Sequence, residues 1–338
     1  MKAAVFHASD RPLVVEEIAD PVPGPRDLVV EVRACGICGT DLHAASQPGG
    51  LPTGCVMGHE FSGVVVETGG EAASDFSTGD RVIAVPSIGC GTCPACLSGD
   101  VMHCPQVKII GLGQLPGAYA RYVRVGSNET LALPDALDFS QGALAEPLAV
   151  GLHAVNVSGL SPGQNVFVAG AGPIGLAVTL WARFIGAENI IVSEPAEGRR
   201  ALAAQVGATR VVSGSESAAP LLAELPGGGA DVLFECVGVP GLLTECVGLA
   251  PPRSKVVVAG VSMHPEPFVP GLAVVKELEL QFVLAYMKSD FEQALDMMAA
   301  GRVDPRPMVT GRVDLDGLPT AFEGLKQPSS QCKILVEP

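Results

Sequence analysis

Positive charge is in short supply in this sequence: its 338 residues carry 21 Lys and Arg against 36 Asp and Glu, a formal net charge of −15. A field of that sign repels phosphate backbones and anionic lipid, so no nucleic-acid partner and no membrane partner is expected. No secretory leader is expected either. The first residues, MKAAVFHASD, contain no uninterrupted apolar core, and a cytoplasmic protein is expected. In a reducing compartment, 10 cysteines favour metal ligation or plain burial over a disulfide framework. Nor is there a membrane span. Lys, Arg, Asp and Glu are all absent from Pro147 to Ala182, but Asn156, Pro162, Gly163, Gln164, Asn165, Gly170, Gly172, Pro173 and Gly175 divide that stretch. The pieces are shorter than the roughly 20 helical residues a bilayer requires, and they read as a loop, a buried strand and a buried helix. Internal repeats and low-complexity tracts are absent too.

What the sequence does have is 48% hydrophobic residues over a length that suits about two domains, ample for two buried cores. The first part contains short β-branched runs, Leu28 to Val32, Gly63 to Val66, Arg81 to Val85 and Tyr119 to Val125, separated by Gly, Pro and Asp. These predict a β-rich unit. From about Gln164 the pattern alternates apolar strand with helix: Val166 to Ala169, Ile190 to Ser193, Val211 to Ser213, Val232 to Cys236, Lys255 to Ala259 and Leu278 to Leu284. Such alternation predicts βαβ units and an α/β fold with a doubly wound parallel sheet. The tail, with a helix over Ser289 to Ala300 and strands near Met308 to Val313 and Lys333 to Val336, is too small for a domain and is expected to return to the first one.

Two motifs carry chemistry. Val166 to Gly175 reads VFVAGAGPIG, placing Gly170-x-Gly172-x-x-Gly175, with Pro173 and Ile174 inside it, between an apolar strand and the helix Leu176 to Phe184. In that context the glycines permit a tight turn, close approach of the backbone to a pyrophosphate, and close helix–strand packing. Glu194, in IIVSEP at the end of the next strand, is placed to take the adenosine ribose hydroxyls and favours NAD over NADP by repelling a 2′-phosphate. Arg199 and Arg200 lie close enough to accommodate a phosphate or simply to flank the ribose.

The second motif is cysteine-rich. Cys90, Cys93, Cys96 and Cys104 lie in GCGTCPACLSGDVMHC, a spacing that fits a closed structural zinc site. An iron–sulfur cluster is the rival, although bacterial ferredoxins place three residues before the last cysteine. Cys38, in ACGICGTDLH, and His59 with Glu60, in MGHEFSG, offer the thiolate, imidazole and carboxylate that catalytic zinc uses. Spacing alone does not bring these three together; singly, Cys38 also reads as a small buried hydrophobe and His59 as a satisfied core histidine.

In that order, GICGTDLH, GHEFSG, the four-cysteine lobe and GAGPIG resemble the zinc-containing alcohol and polyol dehydrogenases of the medium-chain dehydrogenase/reductase family, over essentially the whole chain. The resemblance implies a GroES-like catalytic domain over 1–147 and 288–338, with a lobe at about 88–106, and a Rossmann domain over 148–287. It implies an NAD-dependent oxidoreductase with two zinc ions per subunit, the catalytic one arranged by Cys38, His59 and Glu60. Ala145 to Val150 reads AEPLAV, so Glu146 stands where many relatives have a cysteine ligand, as in the sorbitol, threonine and butanediol dehydrogenase branch; it meets the metal directly or through water. Asp41 matches the carboxylate that orients the zinc histidine, Thr40 the group that takes the substrate proton, and His43 the histidine that relays it. Ala285 before Tyr286 replaces the arginine common in sorbitol dehydrogenases, which leans toward butanediol-like diols or plain secondary alcohols. Tyr119 and Leu112 are pocket candidates by the same resemblance, and a homodimer or homotetramer is expected.

Two other readings compete. A zinc-free reductase of the same superfamily has no need of Cys38, His59 or the cysteine lobe. A non-catalytic zinc and dinucleotide module has no reason to combine Thr40, His43 and Glu146.

Overall fold

Apolar residues are arranged with two different periods along the chain, and each period builds its own unit. The computed structural model describes residues 1–72, 75–327 and 330–338. It divides into one unit of Met1–Glu146, Met287–Ala299 and Val309–Pro338, and a second of Pro147–Tyr286 and Ala300–Met308.

The first unit contains β1 (Lys2–Phe6), β2 (Val14–Glu17), β3 (Asp27–Gly36), β4 (Cys55–Val56), β5 (Glu60–Thr68), β6 (Arg81–Ala84), β7 (Ser87–Ile88), β8 (Lys108–Ile109), β9 (Tyr122–Gly126) and β10 (Thr130–Ala132). In β3, Val30 and Val32 are buried while Glu31 and Arg33 reach solvent, the alternation expected of a strand with one face on a core. Its sheet runs β10-β6-β5-β3 and continues into two strands from the end of the chain, with β9 also pairing β3. The run expected as one strand from Tyr119 starts its ladder only at Tyr122. Tyr119 instead donates its N–H to Met57 O at 2.9 Å, and Ala120 makes a single bridge to Ala3.

The second unit holds β11 (Asn165–Ala169), β12 (Asn189–Ser193), β13 (Arg210–Val212), β14 (Val232–Glu235), β15 (Lys255–Val258) and β16 (Glu279–Phe282), all parallel in the order β13-β12-β11-β14-β15-β16. β11 is buried at every residue and reads as a continuous apolar run because helices cover both faces. The strand order reverses between β11 and β14, which makes the crevice at their carboxyl ends the place where such sheets bind ligands. Among the described residues, no helix is long and apolar enough to cross a membrane.

The last segment returns to the first unit as the helix Lys288–Ala299 and the strands β17 (Val309–Asp314) and β18 (Lys333–Glu337). β18 pairs antiparallel with β3, Leu335 opposite Gly36, so residues near the two ends of the chain share one sheet.

Candidate metal centres and dinucleotide site

Three distant pieces of sequence meet where β3 ends. Across one edge of β3, Gly36 pairs with Glu60 at the start of β5. Along the other edge the ladder continues from Leu335 opposite Gly36 to the Ile37 N–H bonding Ile334 O at 3.0 Å. Immediately beyond, Cys38 caps the amino end of the helix Gly39–Ser46. The ligand atoms of Cys38, His59 and Glu60 accordingly lie within 4.8 Å of one another.

Each ligand is held by a buried partner. Asp41, fully buried, reaches back with Oδ2 to the Cys38 N–H at 3.2 Å, and its Oδ1 meets His59 Nδ1 at 3.1 Å. One carboxylate thus both caps the helix and fixes the imidazole, leaving Nε2 for a metal. Glu60, 1% exposed, receives Lys333 Nζ on both carboxylate oxygens at 2.6 Å, and the same ammonium donates to Ile37 O at 3.0 Å. Gly36 has no Cβ because one would run into the Glu60 carboxylate.

The electrostatics suit a cation. Two buried carboxylates and a cysteine sulfur face the single Lys333 ammonium. Burial pulls His59 toward neutrality, but the Asp41 carboxylate, then the Cys38 sulfur, outweigh burial and raise its pKa well above 6.5. For Lys333, burial opposes the charge and is outweighed by Glu60, which keeps the ammonium protonated. A thiolate, an imidazole and a carboxylate converging in such a field match the donor set of zinc.

Thr40 and His43 are exposed and lie three residues apart on the helix Gly39–Ser46, hence on one face. Glu146 is buried in the first turn of the helix Ala145–Ser158 and lies outside the three-ligand group. Leu112 is half-buried, whereas Tyr119 is fully buried and so lines no pocket; its hydroxyl donates to Asp41 Oδ2 at 2.6 Å.

The four-cysteine lobe brings Cys90, Cys93, Cys96 and Cys104 together, all sulfurs within 4.8 Å. Cys90 and Cys96 are 3.9 Å apart, close to the ~3.8 Å edge of a tetrahedron with ~2.3 Å zinc–sulfur bonds. A cubane cluster caps separate irons and spreads its sulfurs further. Backbone N–H groups of Cys90, Cys93, Cys96 and Gln106 point at the sulfurs at 3.4–3.5 Å. Bonds from the Thr92 and Cys93 N–H groups bring the Cys90 thiol down to about 6, while burial, with its sulfur neighbours, pushes Cys96 up to about 12. Lys288 fastens the lobe, its N–H on Gly99 O and its Nζ on Asn128 O.

In the second unit, Gly170 adopts φ +99° directly after β11 and bonds Ser193 O at the end of β12. Gly172 caps the helix Pro173–Ile185, Pro173 opens it, and Ile174 follows in its first turn. A Cβ on Gly175 would strike Gly170 O, so the helix can start this close only with glycine there. The first turn therefore presents free N–H groups toward the switch point, an arrangement that fits a pyrophosphate. Glu194 is buried beside this loop, Oε2 accepting the Ala171 N–H and Oε1 the Ala196 N–H, both at 2.9 Å. Arg199 is half-buried in the helix Glu197–Gln205, and Arg200 bonds the carbonyls of Glu194 and Pro195.

Sequence reasoning missed Lys333 and Glu235. The signal for Lys333 was a lysine opening an otherwise apolar strand, KILV; only the fold reveals its partner. Glu235 ends β14 in an apolar run and accepts the Val237 and Gly238 N–H groups, both at 2.8 Å.

The chain matches two family models, the alcohol dehydrogenase GroES-like domain over residues 24–135 and the zinc-binding dehydrogenase over 173–300. It is 34% identical to the (R,R)-butanediol dehydrogenase of Bacillus subtilis, with the alignment covering 100% of each chain. It is 30% identical to the sorbitol dehydrogenase of the same organism, over 100% of this chain and 97% of that one. A protein from Sinorhizobium meliloti described as a zinc-binding dehydrogenase, solved bound to NADP, superposes with a TM-score of 0.88 at 35% identity, over 100% of this chain and 99% of its own. With two donor sets suited to zinc, a dinucleotide fold and these relatives across its full length, the chain belongs to the zinc-dependent medium-chain dehydrogenase/reductase family, whose members are NAD(P)-linked dehydrogenases.

Proposed function

We propose that this enzyme oxidises a secondary alcohol or vicinal diol of the butanediol kind to the ketone with NAD, releasing NADH and a proton. The convergence of Cys38, His59 and Glu60, with Asp41 behind the histidine, carries this reading. Bound zinc supplies Lewis acidity that lowers the pKa of a substrate hydroxyl, and bound NAD supplies the hydride acceptor. Cys38, His59 and Glu60 would hold the metal, with Glu146 meeting it directly or through water. Thr40 would take the hydroxyl proton as it gives its own onward, and exposed His43 would pass that proton to solvent, a task suited to an imidazole. Gly170, Gly172, Pro173, Ile174 and Gly175 cradle the pyrophosphate, with Glu194 on the ribose and Arg199 flanking it. Cys90, Cys93, Cys96 and Cys104 hold the structural zinc.

Ala285, at φ +50° before Tyr286, offers no positive group to anchor a polyol chain, which favours short diols. The sorbitol dehydrogenase relative supports a polyol as the second reading. Rates of NAD reduction with 2,3-butanediol, simple secondary alcohols, sorbitol and threonine separate the two. Fastest turnover with a short diol or secondary alcohol is expected; preference for sorbitol moves the assignment to the polyol branch.

NAD is favoured over NADP because the Glu194 carboxylate, buried against the glycine loop, repels a 2′-phosphate. Glu194→Ser is expected to move the ratio of kcat/KM for NAD over NADP toward NADP by about tenfold or more, the factor that corresponds to about 1.4 kcal/mol. An unchanged ratio refutes that role. A homodimer, or a dimer of dimers, is supported by the sheet edge. β16 ends the sheet with Phe282 exposed and Leu284 exposed just beyond it, and an uncovered edge strand is a pairing site.

A further inference from the structure

The burial of Tyr119 is accounted for by its ring, but its hydroxyl is not. The ring packs edge-on to Phe322 with centroids 6.4 Å apart, and it passes over Gly58, at φ +96°, where a Cβ would lie 2.5 Å from the ring's Cδ1. A phenylalanine would satisfy every one of those contacts. The hydroxyl reaches Gly36 O only at 3.5 Å and donates its proton to Asp41 Oδ2 at 2.6 Å, within the range of charge-assisted hydrogen bonds. That oxygen also accepts the Cys38 N–H at 3.2 Å, while Oδ1 faces His59 Nδ1 at 3.1 Å. Without the phenol, Oδ2 would keep only the 3.2 Å bond from the Cys38 N–H; the shorter second donor holds that oxygen, and with it the plane of the carboxylate, against its otherwise broad terminal torsion. Oδ1 is then fixed toward His59 Nδ1, so that Nε2 is the nitrogen a bound metal would take in place of a proton. Burial, followed by the Asp41 charge, raises the Tyr119 pKa well above 10, so the phenol remains a donor.

We propose that Tyr119 is a positioning residue for the Cys38, His59 and Glu60 centre, its phenol locking Asp41 and, through Asp41, setting the tautomer and tilt of His59. This rests on the reading that the centre holds zinc. Tyr119→Phe and Asp41→Asn, singly and together, test it in the full-length protein, with zinc affinity measured by competition with a chromophoric chelator and geometry by the visible spectrum of the cobalt-substituted protein. Phe322→Leu, which keeps the hydroxyl and removes the ring contact, is the control. Tyr119→Phe is expected to weaken one of two zinc ions by about tenfold, as loss of a partner behind a ligand does, and to shift the cobalt spectrum. The double variant should bind no more weakly than Asp41→Asn alone, because the phenol acts through that carboxylate. Phe322→Leu should lower Tm while leaving zinc affinity within about twofold, a structural change that spares the bond chain. Wild-type affinity and spectrum in Tyr119→Phe, additive losses in the double variant, or equal weakening by Phe322→Leu would each overturn the proposal. A wild type that holds zinc on the four cysteines only would instead overturn the reading beneath it, and the proposal with it.

Discussion

Cys38→Ser is expected to lower alcohol oxidation by about 10³-fold or more while NADH still binds. In the proposed centre Cys38, at the amino end of the helix Gly39–Ser46, would hold the metal, and its sulfur lies in the same 4.8 Å group as His59 and Glu60. A serine hydroxyl stays protonated at neutral pH and is a poor zinc ligand, so the Lewis acid is lost together with its several kcal/mol of charge stabilisation, at about 1.36 kcal/mol per decade of rate. The glycine loop and Glu194 belong to the second unit and are untouched. Steady-state NAD reduction together with NADH fluorescence titration checks this. Activity within tenfold of wild type would remove Cys38 from the metal.

The second large effect concerns Lys333. Removing its ammonium leaves the Glu60 carboxylate, 1% exposed, with neither water nor a cation. Breaking a buried ion pair by deleting one partner costs about 3–5 kcal/mol, which for units of this size corresponds to a fall in Tm of about 10 °C. Lys333→Met in chelator-treated protein should show that fall by thermal unfolding. Adding Glu60→Met should recover part of it, since a buried pair replaced by apolar side chains of similar volume is often tolerated. A double variant less stable than Lys333→Met would show that Glu60 is held by something other than this lysine. In zinc-loaded protein the loss should be smaller, because the metal then neutralises Glu60.

Local signals made much of this molecule legible before the fold was known. The glycine turn was readable because Gly170, Gly172 and Gly175 follow the apolar run Val166 to Ala169, and the cysteine lobe because its four cysteines are close in sequence. Strands long enough to alternate, such as β3 and β5, were readable too. Short edge strands such as β4, β7 and β8, two residues each, carry no period and were invisible. The supports of the metal centre were illegible for another reason: they are contacts across the chain. Lys333 is 273 residues from Glu60, and Tyr119 is 78 from Asp41. Their roles depend on the β3–β18 pairing and on the course of the chain past Gly58, which no local pattern encodes. Asp41 showed the opposite limit. The sequence points to it as the partner of the histidine, and the structure adds that its other carboxylate oxygen caps the helix, so both roles are met at once.

The most direct test of zinc-dependent alcohol oxidation is the rate of NAD reduction with 2,3-butanediol before chelation, after partial removal of zinc, and after zinc is restored, with metal content measured at each stage. Activity is expected to fall in proportion to the loss of the more labile of two zinc ions per chain and to return when it is replaced. Undiminished turnover in protein that retains only the four-cysteine zinc would contradict a catalytic metal at Cys38, His59 and Glu60.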